Sequence, residues 1–165
     1  MARYVAVTLE KRGVSCTAVL LDDEAPRTSE AVWNALPLGG DVSHATYARH
    51  EIYALVRPFA DAEPGTENPT ITPIPGDLCY FTFPTGYFPP TFQRAQGVED
   101  LDFVVDLAVF YGRNNLLLNA DVGFVPGNVF GTIVEGFNEF AAACHDVWRS
   151  GSIGETLTFS RVKEG

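Results

Sequence analysis

The chain has 165 residues, 46% of them hydrophobic and 19% charged, and a formal net charge of −10. One globular domain with a real core fits these figures, and wholesale disorder does not. The acidic balance excludes nucleic acid and anionic membrane surfaces as expected partners, because both need clustered Lys and Arg.

From the N-terminus, "YVAVTLE" alternates, with Val5, Val7 and Leu9 on one face, and "VSCTAVLL" follows after Lys11, Arg12 and Gly13. The pair predicts a β-hairpin. "APRTSEAVWNALP" predicts a helix. Pro26 suits a first helical position, and Asp22, Asp23 and Glu24 lie near its positive dipole end. Its inner stripe is Ser29, Val32, Trp33 and Leu36, and Pro37 ends it. Strands are expected over 42–48 and 51–56. The stretch 57–76 then holds five of the eleven prolines, which predicts a functional flap or a mobile excursion.

"DLCYFTF" is a further strand, "PTGYFPPTFQRAQGVED" a second irregular stretch, and "FVVDLAVFY" an alternating strand. "GRNNLLLNADVGFVPG" is read as a connection, and "GGD" and "SGSIG" as short glycine turns. Val129 to Val134 form a β-branched and aromatic run that passes through Gly136 into a helical pattern. Phe137, Phe140, Ala141, Cys144, Val147 and Trp148 make that helix's apolar face. "GETLTFSRV" closes the chain as a strand with Leu157 and Phe159 on one side. The expectation is mainly β: about eight short strands closed into one antiparallel barrel, with two helices over its ends.

Three widely spaced cysteines, Cys16, Cys79 and Cys144, form no CxxC pair, so no disulfide framework is expected. No apolar stretch reaches membrane-spanning length, and the start lacks a signal peptide's pattern. A cytoplasmic protein is the resulting expectation.

Three segments carry a resemblance. "VFGTIVEGFNEF" resembles the late strand-to-helix segment of the cyclophilins, V-F-G-x-V-x-E-G-M-x-x-V. "DDEAPRTSEAVWNAL" is similar to their first helix, and "PGDLCYF" stands where they place P-G-x-L-x-M, ahead of the strand that "LAVFYG" matches. Their order and spacing also agree, and the closer likeness is to an uncharacterised bacterial group with a cyclophilin-like fold. The resemblance implies a closed eight-stranded barrel capped by two helices.

It does not carry over prolyl isomerisation. The F-H-R tripeptide and F-M-x-Q-G-G-D string of cyclophilins are absent, and Arg49 is the nearest candidate for their arginine. Phe124, Pro126 and Gly127 stand where their Trp and His usually precede V-F-G.

The expected function is therefore binding of a small polar molecule or short peptide on the barrel's outer face. A divergent isomerase, an accessory subunit of an amide-processing enzyme, or an assembly module with homo-oligomer formation are the alternatives. Arg49, Glu51 and Tyr53 alternate, so on a strand they share one face, with Arg49 able to hold a carboxylate or phosphate and Glu51 to orient it or act as a base. The other reading is a solvated strand face. Tyr111, Arg113, Asn114 and Asn115 offer donors and acceptors to a ligand, or simply make a turn. Tyr87, Phe88 and Phe92 either line a pocket or form a loop's own core.

No cofactor is expected. His44 and His50 could converge only across a hairpin, and no third ligand stands at a metal-binding spacing. Cys144 and His145 point apart on a helix, which leaves Cys144 as core. No nucleotide-binding or nucleophile-elbow string occurs.

Overall fold

The computed structural model describes residues 1–163. In chain order the strands are β1 Tyr4–Leu9, β2 Val14–Leu20, β3 Leu38–His44, β4 Glu51–Val56, β5 Pro69–Thr70, β6 Asp77–Pro84, β7 Phe103–Phe110, β8 Leu118–Asn119, β9 Gly123–Phe124, β10 Gly127–Glu135 and β11 Thr156–Arg161. The helices are α1 Pro26–Ala35, α2 Pro90–Gln96 and α3 Phe137–Ser150, with a 3-10 turn over Thr85–Tyr87.

Eight strands pair antiparallel in the order β2-β1-β11-β3-β4-β7-β6-β10, and β10 pairs back onto β2. The sheet therefore closes as a barrel without an open edge. Alternation decides what fills it. Val5, Val7 and Leu9, Cys16, Ala18 and Leu20, Ile52, Ala54 and Val56, Val105, Leu107 and Val109, and Leu157 and Phe159 share one buried core. Val32 of α1 and Phe140, Ala143, Cys144 and Val147 of α3 close onto it.

A second core lies outside the barrel wall. Leu55 of β4, Ala108 and Phe110 of β7, and Cys79, Phe81 and Phe83 of β6 are buried there with Ala48, Val98 and Leu117. Strand β7 is thus buried on both faces. An apolar run of this kind marks a strand covered on two sides.

The glycine hinge behaves as its chemistry requires. Gly136 takes a left-handed φ of 79° at the start of α3, 3.4 Å or less from the backbone of β2 for any added Cβ. Gly131 lies at an irregularity in the β10–β6 register, where a Cβ would come within 3.0 Å of Leu78 Cδ1.

Several expectations need correction. "GGD" is part of β3, not a turn, and β3 begins at Leu38 rather than 42. A Cβ at position 39 would stand 2.7 Å from the Leu157 carbonyl oxygen, so small residues allow β3 to pair with β11. The expected connection after β7 contains the β8–β9 hairpin, and α2 adds a third helix. Trp33 and Leu36 are only partly buried, and Thr28 joins Ser29 and Val32 inside. The Trp33 ring instead carries the guanidinium of Arg161 at 4.5 Å and that of Arg3 at 5.5 Å. Trp148 is 63% exposed, because the buried stripe of α3 runs through Phe140, Ala143, Cys144 and Val147.

The proline-rich stretch 57–76 is tied to α1 and β10 by hydrogen bonds. Glu67 accepts the first amides of α1, from Thr28 at 2.8 Å and Arg27 at 3.2 Å. The acid at this helix start thus comes from far along the chain, not from Asp22, Asp23 or Glu24; Asp22 pairs with Arg3. Asn128 accepts the Glu67 amide and donates to the Gly65 carbonyl, and β5 pairs with β10. Among the described residues no helix is long and apolar enough to cross a membrane.

Candidate functional site

The register of three strands builds the site. On the outer face, Tyr53 of β4 stands opposite Ala108 of β7, which stands opposite Cys79 of β6. In the next row Asp106 lies between Leu55 and Phe81, and to the other side Glu51 lies opposite Phe110. Period-two alternation forces this: Ile52, Ala54, Val105 and Leu107 point into the barrel, so Glu51, Tyr53 and Asp106 point out. The small Ala108 leaves Tyr53 and the two acids room above the sheet.

Glu51 and Asp106 are each only 5% exposed. Glu51 Oε2 and Asp106 Oδ1 are enclosed and make no hydrogen bond within the protein. Thr85 Oγ1 is the other such atom among the described residues, and it lies outside the cleft lining. A buried carboxylate without donors is costly, so the acids hold their protons. Burial raises the Glu51 carboxyl to about 8. Burial, and then the charge of Glu51, push Asp106 well above the carboxylate range. Burial followed by the two carboxylates' charges also raises the hydroxyls of Tyr47 and Tyr53.

Over these acids opens a cleft of about 830 Å³, whose lining includes both of them with Tyr47 and Tyr53. Its walls come from different parts of the chain. Phe83 stacks on Tyr87 at 5.1 Å, Tyr87 meets Phe88 edge-on at 5.2 Å, and Phe88 lies 5.4 Å from Phe92 of α2. Asn119 in the β8–β9 hairpin donates to the Tyr87 hydroxyl at 2.6 Å, which ties that rim to the aromatic wall. Val147, Trp148 and Ser152 form the far side.

The lining contains three carboxylic acids, Glu51, Asp106 and Asp121, one imidazole, His44, and no Lys or Arg. Burial lowers the basicity of His44, against the hydrogen bond from its Nδ1 to the Ala45 carbonyl, and its Nε2 lies 2.6 Å from the Tyr111 hydroxyl. Such a surface offers an anion no positive charge. It can accept cations or exchange hydrogen bonds with neutral groups.

The structure brings Glu51, Tyr53, Tyr87 and Phe88 together around this cleft and leaves the other expected site residues outside its lining. Arg49 is exposed in a bend, two residues before β4 begins, so it does not share the strand face with Glu51. The bend is fixed by the His50 amide, which donates to Asn115 Oδ1. Asn115 is fully engaged, its Nδ2 donating to the carbonyls of Pro73 and Gly112. Asn114 has φ 65°, the left-handed conformation of a turn, and Arg113 is exposed beside it. Tyr111 closes the barrel end, with the rings of His44 and His50 packed edge-on against it.

Asp106, Asn119 and Trp148 were not anticipated in the site. Only Asp106 left a signal, a lone acid inside the apolar run "FVVDLAVF".

Comparison with known proteins places this architecture. The sequence profile of the family described as "Protein of unknown function (DUF3830)" matches residues 7–159. The chain belongs to the DUF3830 family. No curated protein matches the sequence of this DUF3830 chain. Among solved structures it is similar to McbB in complex with tryptophan, with a TM-score of 0.61 and 17% identity over 98% of the chain. The DUF3830 chain spans 45% of that protein's length. It is also similar to the hypothetical protein AF2241 from Archaeoglobus fulgidus, at 18% identity and a TM-score of 0.49, covering 98% of this chain and 95% of that one.

Proposed function

We propose that this DUF3830 protein binds a small molecule in the cleft outside β4, β7 and β6. The ligand's apolar or aromatic body lies against Phe83, Phe88, Phe92 and Trp148, and its polar end meets Glu51 and Asp106. The observation that carries this reading is the pair of enclosed, unpartnered carboxyl oxygens in the floor of an aromatic-walled cavity. Convergent polar groups in a largely apolar concavity are the usual construction of a small-molecule site. A structural role would leave the acids without hydrogen bonds and gain nothing in return.

The barrel is read as a cyclophilin-like scaffold whose outer groove has been rebuilt. Arg49, the nearest candidate for the isomerase arginine, stands outside the cleft lining, so binding is favoured over prolyl isomerisation. McbB was solved with tryptophan, but at 17% identity the likeness supports the fold, and the ligand reading rests on the cleft's own residues.

A thermal-shift screen of small aromatic and aliphatic compounds tests the reading. Compounds that bind should raise Tm of the wild type by mass action and leave Trp148→Ala and Phe88→Ala unshifted. Trp148→Ala by itself should change stability by no more than about 0.5 kcal/mol, as exposed positions do. A flat screen, or equal shifts in wild type and both variants, would overturn the proposal.

A further inference from the structure

The acids at the cleft floor define the charge of what they receive. Both are buried, each has an oxygen without a partner, and both belong to the cleft lining. An anion would find no guanidinium or ammonium in that lining, and no carboxyl there could take on the opposite charge. A cation would meet the opposite situation. The faces of aromatic rings attract positive charge, and here Phe83, Tyr87, Phe88 and Phe92 stand along one wall.

The groups that face the two acids supply no competing positive charge. Tyr53 stands on β4 between them, and Cys79 of β6 lies across Ala108, its thiol kept protonated by burial and then by the charges of Asp77, Glu51 and Asp106. Burial raises the Tyr47 hydroxyl, and Tyr87 in the 3-10 turn and Asp121 on the hairpin rim bring no cationic group. Asp77, at the start of β6, has its carboxyl raised by burial and accepts the Ile74 amide. Burial lowers the basicity of His44, against the opposing hydrogen bond to the Ala45 carbonyl.

We infer that the ligand class is an organic cation, a protonated amine on an aromatic or apolar body, and that one floor carboxyl releases its proton to solvent as the cation enters. The inference rests on the reading of the cleft as a small-molecule site. The entering charge replaces the proton as the partner of the carboxylate, so the floor stays neutral in both states. An ammonium also brings several N–H donors, enough for the free oxygens of both Glu51 and Asp106.

Proton release couples affinity to pH. Below the Glu51 value of about 8, each binding event should liberate close to one proton. Affinity should then rise roughly tenfold per pH unit and level off above that value.

Isothermal titration with phenethylamine, 2-phenylethanol and phenylacetate separates the possibilities, because the three share a ring and differ in charge. Phenethylamine is expected to bind at least about tenfold tighter than the alcohol at pH 7, with phenylacetate weakest. Its apparent enthalpy should differ between phosphate and Tris by the ionisation heat of roughly one proton. Glu51→Gln combined with Asp106→Asn keeps the shape of both side chains and should abolish the amine preference and the buffer dependence. Its loss of amine affinity should exceed any loss of alcohol affinity by at least about tenfold. Equal binding of amine and alcohol, with no buffer dependence, would overturn the cation inference while the small-molecule reading stands. An amine preference that survives in the double variant would also overturn it. Absence of binding by all three probes, in a protein whose thermal-shift screen gives hits, rejects this ligand class alone; absence in both experiments rejects both readings.

Discussion

Among the described residues four acids are buried, and they divide into two pairs with opposite environments. Glu155, at the start of β11, accepts the amides of Lys11 at 2.7 Å, Arg12 at 3.0 Å and Thr156 at 3.0 Å, and the Arg12 guanidinium at 3.0 Å. Glu67 accepts two amides at the start of α1. Glu51 and Asp106, buried to a similar degree, each keep an oxygen with no partner. Burial alone would raise all four carboxyls. In Glu155 and Glu67 the donated hydrogen bonds outweigh it and hold the acid below its ordinary range, whereas in Glu51 and Asp106 nothing opposes it. The first pair are fasteners of chain segments distant in sequence. The second pair contribute nothing of that kind, and they lie in a cavity wall.

Truncation should separate the pairs most strongly. Glu155→Ala leaves three amides and a guanidinium without their acceptor, and should cost about 3 kcal/mol in urea unfolding. A loss below about 1 kcal/mol would remove the distinction between the two pairs. Glu67→Ala should cost about 2 kcal/mol, as the loss of a helix-start acceptor does. Amide hydrogen exchange at Thr28 should accelerate with it, since the same carboxylate joins α1 to the 57–76 stretch.

Glu51→Gln should do the reverse, and only at high pH. Below about pH 4.5 the acid is protonated in the folded and unfolded chain alike, so no difference arises. Between 4.5 and about 8 the unfolded chain releases the proton and the fold retains it, so wild-type stability falls as pH rises. The variant should lack the share of that fall due to Glu51 and keep the share due to Asp106, with Tm at pH 9 at least about 3 °C above wild type and little difference at pH 4. Glu67 and Glu155 impose the opposite slope, because their stabilisation is lost as pH falls through their lowered values. A wild type and a Glu51→Gln variant with parallel pH profiles would contradict the assignment of Glu51 as an unsatisfied acid.

Much of the fold was legible, because strand alternation is a local property. "YVAVTL" and "TLTFSR" show which residues face inward without reference to anything distant. The site was legible only in part. Glu51 and Tyr53 follow from the alternation of β4, and Tyr87 and Phe88 from an aromatic loop. Extending that alternation back to Arg49 failed, since Asn115, 65 residues later, bends the chain at His50. Asp106 was visible as an acid in an apolar run, but its burial depends on the second core outside the barrel. Trp148 carried the helical spacing of a core residue and instead stands at the cleft rim, because Val147 takes the last inward position of α3.

By itself, the sequence determined the barrel: hydrophobic period, glycine placement and turn residues are read within a few positions of one another, and closure follows from the need to pair every strand edge. Only the tertiary structure decided what the acids do. Hydrogen-bond donors reach Glu67 and Glu155 from elements remote in the chain, and among the described residues none reaches Glu51 Oε2 or Asp106 Oδ1. A carboxyl group's charge, stability contribution and availability to a ligand are fixed by the donors and dielectric around it, and no local pattern of residues encodes those.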